Sequence, residues 1–180
     1  MFEIEIKFRV NDCSSMVKKL SSIGVELKNL GVQRDAIFAS ADTIGFNIKP
    51  GTPVVRIRSE GDKVSLTLKK KITTEQSIEH ELQISDINKM TLILECLGLK
   101  KIVEVVKQRE IGQKDNLTYC LDTVNELGCF LEIETVLENN EEADDAYTKI
   151  MVYAEKLGLS EKDIEKNKYD TLVYNNSKKK

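Results

Sequence analysis

The first ten residues, MFEIEIKFRV, alternate apolar and charged side chains with a period of two. Such alternation predicts a half-buried β-strand whose apolar side chains join the core. The opposite face carries Glu3, Glu5, Lys7 and Arg9. In a single strand this face would ordinarily be wet, because antiparallel sheets commonly expose one side to water. The later strands decide between a solvated face and a binding site.

Seven further segments have the alternation or β-rich composition of strands. They cover residues 25–40, 54–59, 63–71, 77–84, 102–111, 117–124 and 129–136. Turn residues at 60–62 and 125–128 predict two hairpins. Residues 41–52 contain glycine, proline and aspartate, and they predict a loop.

Helical spacing of apolar residues predicts three helices, over residues 14–23, 87–97 and 141–159. Asp12 and Asp86 can cap the first two, which Gly24 and Gly98 then end. The third helix has an apolar stripe formed by Ala146, Ile150, Tyr153, Ala154 and Leu157.

These elements predict an α+β fold that is mainly antiparallel β. We expect a closed eight-stranded β-barrel with the helices packed outside, because closure leaves no unpaired strand edge. With 180 residues, 41% of them hydrophobic, the chain can bury one sizeable core. The prediction is a single domain over residues 1–175, followed by a flexible basic tail at 176–180.

Composition excludes several function classes. The net charge of -3 gives no overall basic field for nucleic acid. No signal-like or 18-residue apolar segment occurs, so we expect no membrane partner and a cytoplasmic location. The chain has four cysteines and one histidine, and no two cysteines form a C-x-x-C pair, which disfavours a zinc site. We therefore expect the protein to work in a reducing compartment.

Two of the residue types usually linked to chemistry are given structural roles. His80 lies between two glutamates on its strand, so we expect its side chain to point to the apolar side and to pack there. Cys120 and Cys129 could approach each other across the hairpin, without a redox role following from it.

The charged face of the first strand is repeated on the later strands. Side chains of like charge recur two residues apart at Arg56 and Arg58, Lys69 and Lys71, Glu79 and Glu81, Lys107 and Arg109, and Glu132 and Glu134, with Asp122 on the preceding strand. Such neighbours lie roughly 7 Å apart and repel unless an opposite charge lies between or across from them. A bound polyanion with metal ions would supply that charge.

An inward-facing set of this kind suits a triphosphate. Lysine and arginine bind phosphate oxygens, while carboxylates bind hard divalent cations. The chain has neither a G-x-x-x-x-G-K-[ST] nor a G-x-G-x-x-G sequence, so a glycine-rich loop cannot cradle the phosphates. Side chains must do so.

Ordered motifs along the chain resemble the CYTH superfamily, also called triphosphate tunnel metalloenzymes. The first is Glu3-x-Glu5-x-Lys7. The later ones are Gln33-x-Asp35 with Phe38, Arg56-x-Arg58, Leu66 to Lys69, Glu79-x-Glu81, Lys107-x-Arg109, Leu121-Asp122-x-Val124, and Leu127 to Glu134 with its Glu132-x-Glu134 pair. The chain looks most like the class IV adenylyl cyclase group, although Ser77 stands where many members have an arginine.

The resemblance implies a tunnel-shaped antiparallel barrel, Mg²⁺ or Mn²⁺ as cofactor, and roles for individual residues. Metal ligands would be Glu3, Glu5, Glu132 and Glu134. Catalytic residues that bind metal or position water would be Glu5, Glu81 and Asp122. Phosphate-binding residues would be Lys7, Arg56, Arg58, Lys69, Lys107 and Arg109.

Three functions remain open at this point. A class IV adenylyl cyclase would convert ATP to cyclic AMP and pyrophosphate. A triphosphatase would release phosphate from inorganic triphosphate, thiamine triphosphate or a nucleotide. A non-catalytic module would only bind polyphosphate or nucleotides, but the carboxylate set disfavours it. The partner in each case is a small-molecule triphosphate, such as ATP or inorganic triphosphate, and the resemblance also allows a homodimer.

Overall fold

The computed structural model describes residues 2–40, 51–71, 77–138 and 143–178. At residues 2, 3, 71, 77 and 143 it describes the backbone only. Most of the loop predicted at 41–52 therefore lies outside the described residues, as does the end of the predicted tail.

Within these described ranges, eight strands form one sheet, in agreement with the number that the sequence predicts. They are β1 (Phe2–Val10), β2 (Lys28–Ser40), β3 (Pro53–Glu60), β4 (Lys63–Lys71), β5 (Ser77–Gln83), β6 (Leu99–Lys114), β7 (Leu117–Val124) and β8 (Gly128–Leu137). Their order in the sheet is β1-β8-β7-β6-β2-β3-β4-β5. The pairs β1–β8, β8–β7, β7–β6, β2–β3, β3–β4 and β4–β5 are all antiparallel.

The mainly antiparallel α+β fold is thus confirmed, but the closed barrel is not shown. Among the described residues, the hydrogen-bonded order begins at β1 and ends at β5. Closure of the sheet stays a prediction.

In the part of the chain that the structure describes, four α-helices accompany the sheet: α1 (Cys13–Ser22), α2 (Ile87–Cys96), α3 (Ala143–Lys156) and α4 (Tyr169–Ser177). The predicted caps are present, because Asp12 accepts a hydrogen bond from the Ser14 amide and Asp86 from the Lys89 amide, each at 2.9 Å. No helix within the described ranges is both long and apolar enough to cross a membrane.

Helix α4 has no counterpart in the sequence prediction, and it extends to Ser177, inside the segment predicted to be a tail. Its Val173 and Tyr174 pack against buried Ile37 and Val103. This packing stabilises helix α4, although the apolar periodicity of its own sequence is weak.

The chain divides into two compact units. The first comprises Met1–Gly31 and Lys107–Lys168, and the second comprises Val32–Val106 and Tyr169–Lys180. In the first unit, the apolar faces of β1, β7 and β8 bury Phe8, Tyr119 and Leu131 against α1 and α3. Three stripe residues of α3, namely Ala146, Ile150 and Ala154, are buried, and so is Leu157, which follows the last residue of the helix.

The second unit has its own core. Phe38, Val55 and Ile57 from β2 and β3 pack with Leu94 of α2. Because their side chains occupy one face of the strands, alternate residues such as Arg56 and Arg58 project from the other face.

Two expectations about single residues are wrong. His80 is exposed rather than packed against apolar residues. Cys129 forms a disulfide with Cys13, not a contact with Cys120. The strand register explains this, because Cys129 is opposite Val10, and α1 begins at Cys13 shortly after it, whereas Cys120 is opposite Glu132.

Candidate active site

A buried group of charged side chains lies in the first unit, where β6 and β7 pair. Arg109 and Asp122 are opposite each other in the register. Arg109 donates from Nε and Nη2 to the two carboxylate oxygens of Asp122, at 2.7 and 2.5 Å. Lys107 Nζ donates to Asp122 Oδ2 at 2.8 Å. Asp122 is fully buried, and it holds both cations in place.

The same group continues across β8 to β1. Arg109 Nη2 also donates to Glu132 Oε2, and Lys7 Nζ lies 3.7 Å from Glu132 Oε1. Lys7 and Glu132 are register partners. We call Lys7, Lys107, Arg109, Asp122 and Glu132 the buried charge cluster. It arises because alternate positions of four paired strands face the same side.

The charges of the cluster shift one another's titration. Burial raises the pKa of Asp122, but the hydrogen bonds and charges of Arg109 and Lys107 oppose it, and the pKa is lowered overall. Burial and the neighbouring Arg109 charge lower the pKa of Lys107 despite the attraction of Asp122. Asp122 is therefore an ionised anchor at neutral pH, and Lys107 loses its proton more easily than an ordinary lysine.

Glu5 and Glu134 flank the cluster. They are register partners on β1 and β8, so their side chains lie on one face of the pair. Carboxylates directly opposite each other repel, and a divalent cation bound by both would relieve that repulsion.

The donor chemistry of this pair fits a magnesium-like ion. Within the described part of the chain, no three His, Cys, Asp or Glu side chains are gathered as a metal site. Magnesium, however, is usually held by one or two carboxylates together with water and substrate phosphates. The side chain of Glu3, the remaining predicted ligand, lies outside the described part.

In the second unit, β2 fixes one of the predicted phosphate-binding residues on β3. Asp35 and Arg58 are register partners, and Arg58 donates from Nε and Nη2 to the two oxygens of Asp35, both at 2.7 Å. This pairing repeats the Arg109–Asp122 pairing of the first unit. In each unit, two basic residues lie two positions apart on one strand, Arg56 and Arg58 or Lys107 and Arg109. An aspartate on the adjacent strand binds the second of the two.

A threonine joins the other arginine to a predicted catalytic acid. Arg56, Thr67 and Glu81 form one row across β3, β4 and β5. Arg56 Nη2 donates to Thr67 Oγ1 at 3.1 Å, and Thr67 Oγ1 donates to Glu81 Oε2 at 2.7 Å. Burial and the charge of Arg58 lower the pKa of Arg56.

These pairings change the interpretation of the charged face in the second unit. Lys69 is bonded to its register partner Glu79, as Arg58 is to Asp35. Cross-strand partners of the protein itself therefore supply opposite charge, and charge balance alone does not require a bound polyanion there.

The predicted site residues fall into two sets, one in each unit. The first unit brings together Lys7, Lys107, Arg109, Asp122 and Glu132, with Glu5 and Glu134 beside them; the second contains Arg56, Arg58, Lys69 and Glu81. The side chains of Lys71 and Ser77 lie outside the described residues, so the consequence of Ser77 stays a prediction.

Asp35 and Thr67 were given no role by the sequence. Both are buried polar residues, at 7% and 4% exposure, and both hold a predicted site residue. The contact of Thr67 with Arg56 could have been predicted from the sequence, because the Glu60–Asp62 turn sets the β3–β4 register and places the two residues opposite each other.

Comparison with known proteins gives consistent matches over nearly the whole chain. The CYTH domain model matches residues 1–169. A putative adenylate cyclase from Methanocaldococcus jannaschii is 30% identical over 173 residues, covering 94% of this chain and 97% of the relative. The structure of the PH1012 protein from Pyrococcus horikoshii is 28% identical, with a TM-score of 0.79 and coverage of 96% and 99% of the two chains. A Hippeastrum protein, named a putative adenylyl cyclase and described as having a dominant triphosphatase activity, shares the fold at 16% identity, with a TM-score of 0.64 and coverage of 97% and 95%.

Proposed function

This chain belongs to the CYTH family of triphosphate tunnel metalloenzymes, and from that premise we propose that it is a class IV adenylyl cyclase. It would convert ATP to cyclic AMP and pyrophosphate with a divalent cation. The relative named a putative adenylate cyclase supports this reaction within the family.

The observation that carries the proposal is the buried charge cluster of the first unit. Lys7 and Lys107 are 8% and 4% exposed, and Arg109 lies between two carboxylates. Burying such groups is unfavourable unless they are paired and positioned, and phosphoryl transfer depends on cations positioned in this way. Glu5 and Glu134 are partners on the same face of β1 and β8, two positions along from the Lys7–Glu132 pair.

Each residue type then has one task. Glu5 and Glu134, with Glu3 and Glu132 as the further predicted ligands, would hold the cation. A bound divalent cation would neutralise phosphate charge and lower the pKa of the attacking hydroxyl. Lys7, Lys107 and Arg109 would hold the phosphate oxygens, including those of the departing pyrophosphate.

In the cyclase reaction, the ribose 3′-oxygen forms a bond to the α-phosphorus as the bond from that phosphorus to the β-phosphate oxygen breaks. The hydroxyl proton passes to solvent or to a carboxylate of the site. Glu5 and Glu81 stay predicted catalytic residues, which would bind metal or position water. For Asp122 we propose a positioning role, because its hydrogen bonds are committed to Lys107 and Arg109. The phosphate contacts of Arg56, Arg58 and Lys69 stay predictions.

A triphosphatase is the second candidate. The fold by itself accommodates that chemistry, since the Hippeastrum protein with the same fold has a dominant triphosphatase activity. The same cations and acids would then serve attack of water on the terminal phosphorus.

The test is a product analysis of the purified protein with Mg²⁺ or Mn²⁺, given ATP and inorganic triphosphate separately. Cyclic AMP with pyrophosphate supports the cyclase. Orthophosphate, released fastest from inorganic triphosphate, supports the triphosphatase and overturns the cyclase. Glu134→Gln should abolish metal-dependent turnover, while Glu155→Gln, on the exposed side of α3, is the matched control. Full activity of Glu134→Gln would overturn its assignment as a ligand.

The tunnel, a homodimer, and a cytoplasmic location remain predictions. Size-exclusion chromatography with light scattering tests the homodimer.

A further inference from the structure

Strand β1 is held along both of its edges at the position of Lys7. On one edge it pairs with β8. On the other edge the chain returns after α3, where the Glu165 amide donates to the Lys7 carbonyl oxygen at 2.8 Å and Ile164 forms a β-bridge with Phe8. The backbone of a predicted phosphate-binding lysine is therefore fixed by a segment that contains none of the predicted site residues.

The Glu165 carboxylate joins this segment to the side chains of β1. Its Oε2 accepts hydrogen bonds from Arg9 Nε and Nη2, at 2.9 and 2.6 Å. Its Oε1 accepts from the Asn167 amide and from Asn167 Nδ2, at 2.9 and 2.8 Å. One carboxylate oxygen thus binds the strand, and the other holds the turn of its own segment. The Glu165 side chain is only 10% exposed, so water competes little for these contacts.

Arg9 connects this carboxylate to the buried charge cluster. Its guanidinium carbon lies 5.0 Å from the centre of the Phe130 ring, which is a cation–π contact. Phe130 is fully buried, and in the register it is opposite Arg9 on one side and Asp122 on the other. The three side chains form one row on the cluster side of β1, β8 and β7, next to the row of Lys7 and Glu132.

The segment over residues 160–167 is itself well fixed. Leu159, just before it, belongs to the core of the first unit. The Ser160 amide and hydroxyl both donate to Asp163 Oδ2 at 2.9 Å, around the short 3-10 helix Glu161–Asp163. The turn at Glu165 and Asn167 closes its other end. A segment held in this way can support β1.

We infer that Glu165 is a positioning residue for Lys7. Its segment fixes the backbone of the lysine, and its carboxylate fixes the neighbouring Arg9 over Phe130. A lysine that is already in place loses less conformational freedom when it binds phosphate. The inference rests on the proposed function, because it assumes that Lys7 binds a substrate phosphate.

The variant Glu165→Gln removes this carboxylate with little change of shape. An amide has one acceptor atom where the carboxylate has two, so the contacts to Arg9 and to Asn167 can no longer both be kept. Glu161→Gln is the matched control, because it is the same substitution at an exposed position of the same segment.

The experiment is a double-mutant cycle on the full chain, in which Glu165→Gln is made alone and together with Lys7→Ala. The kcat/KM is measured with Mg²⁺ for ATP and for inorganic triphosphate, below the melting temperature of every variant. Calorimetric titration with methylene-bridged inorganic triphosphate gives the same comparison as affinities, where turnover of the Lys7→Ala variants is too slow to follow.

We expect Glu165→Gln alone to lower kcat/KM roughly tenfold, because a small displacement of a positioned group is costly. It should also weaken the analogue, while Glu161→Gln changes neither quantity. Combined with Lys7→Ala, Glu165→Gln should have no further effect, because the side chain that it positions is absent.

The contrary results separate the inference from the proposed function. An equal loss with and without Lys7 would show that Glu165 acts on stability alone or on another residue, and the inference would fall while the triphosphate function stands. Unchanged kcat/KM and affinity in Glu165→Gln would have the same meaning. If the unsubstituted protein neither turns over a triphosphate nor binds the analogue, the proposed function itself fails.

Discussion

Asp122 is the residue on which two buried cations depend. Replacing it with asparagine removes the charge that compensates Lys107 and Arg109, which are held in a region of low exposure. Removing one partner of a buried ion pair strongly destabilises a protein, because the other charge stays buried without compensation. We expect Asp122→Asn to lower the free energy of unfolding by about 3 kcal/mol.

Urea denaturation followed by circular dichroism measures this change. Asp62→Asn, in the exposed β3–β4 turn, is the control and should change stability by less than about 0.5 kcal/mol. Similar small losses for both variants would show that Asp122 does not anchor the cluster.

Thr67 gives a second residue-scale prediction. Thr67→Val keeps the shape of the side chain but removes the hydroxyl that joins Arg56 to Glu81. We expect the free energy of unfolding to fall by only about 1 kcal/mol, because the exposed Glu81 carboxylate can hydrogen-bond to water instead. Thr67→Ser keeps the hydroxyl and should restore the hydrogen bonds, which denaturation of the two variants will compare. Equal stability of the valine and serine variants would argue against the bridge.

At the scale of elements, β6 approaches the chain segment that follows α1. A Cβ added at Gly112 would lie 2.7 Å from both Glu26 O and Val25 Cγ1. One of these neighbours is backbone, so the strand itself must move. Gly112→Ala should therefore destabilise the protein by about 1–3 kcal/mol.

Thermal unfolding will measure this loss, with Gln113→Ala, the exposed neighbour on the same strand, as control. An alanine at position 112 that leaves the melting temperature unchanged would contradict this close approach.

Local patterns predicted most of these elements. The alternation in β1 and the caps Asp12 and Asp86 are local signals, and the structure has the corresponding elements. Helix α4 depends instead on tertiary packing of Val173 and Tyr174, which no local pattern specifies. The prediction that His80 is packed was wrong, because alternation assigns a side chain to one face of a strand but does not show whether another element covers that face.

The charged residues of the candidate site were predicted as sets, but their partners were not. The Asp35–Arg58 pair joins positions 23 residues apart, and Arg109–Glu132 spans the same separation. Such partners follow from strand register, and register depends on which strands become neighbours. Family motifs supplied candidate roles for the residues, whereas the cross-strand ion pairs came only from the structure.

At the scale of the whole molecule, the Cys13–Cys129 disulfide links positions 116 residues apart. Closing a loop of this length restricts the unfolded chain and stabilises the folded one by about 4–5 kcal/mol in the chain-entropy description. Reduction, or Cys13→Ser, should lower the melting temperature. Cys96→Ser, at an exposed free cysteine, should not. Identical melting curves with and without reductant would contradict the linkage.

Stability should also fall in acid. Burial raises the pKa of Asp122, but hydrogen bonds and charges of Arg109 and Lys107 lower it below the ordinary value of 3.8. Burial also raises the pKa of Glu165, but hydrogen bonds from Asn167 and the hydrogen bond and charge of Arg9 lower it below the ordinary value of 4.5. When folding lowers the pKa of a carboxyl group, the folded protein is stabilised at pH values above the ordinary pKa. This stabilisation is lost as the pH falls through the lowered pKa.

Denaturation between pH 7 and pH 2 should therefore show a decline that begins near the ordinary carboxyl values, and Glu165→Gln should make it shallower. An identical pH profile for this variant would exclude Glu165 as a contributor.

The pairing of β1 with β8 has a consequence for synthesis. Phe2 is opposite Leu137, so β1 emerges from the ribosome some 135 residues before its partner strand is complete. At about 5–20 residues per second, that interval lasts roughly 7–27 s. During this time the hydrogen-bonding edge of β1 has no partner strand, and α3, which packs on the apolar face with Ile6 and Phe8, has not been made. The strand that begins the chain is therefore the segment of the first unit that most needs protection from aggregation while the protein is being made.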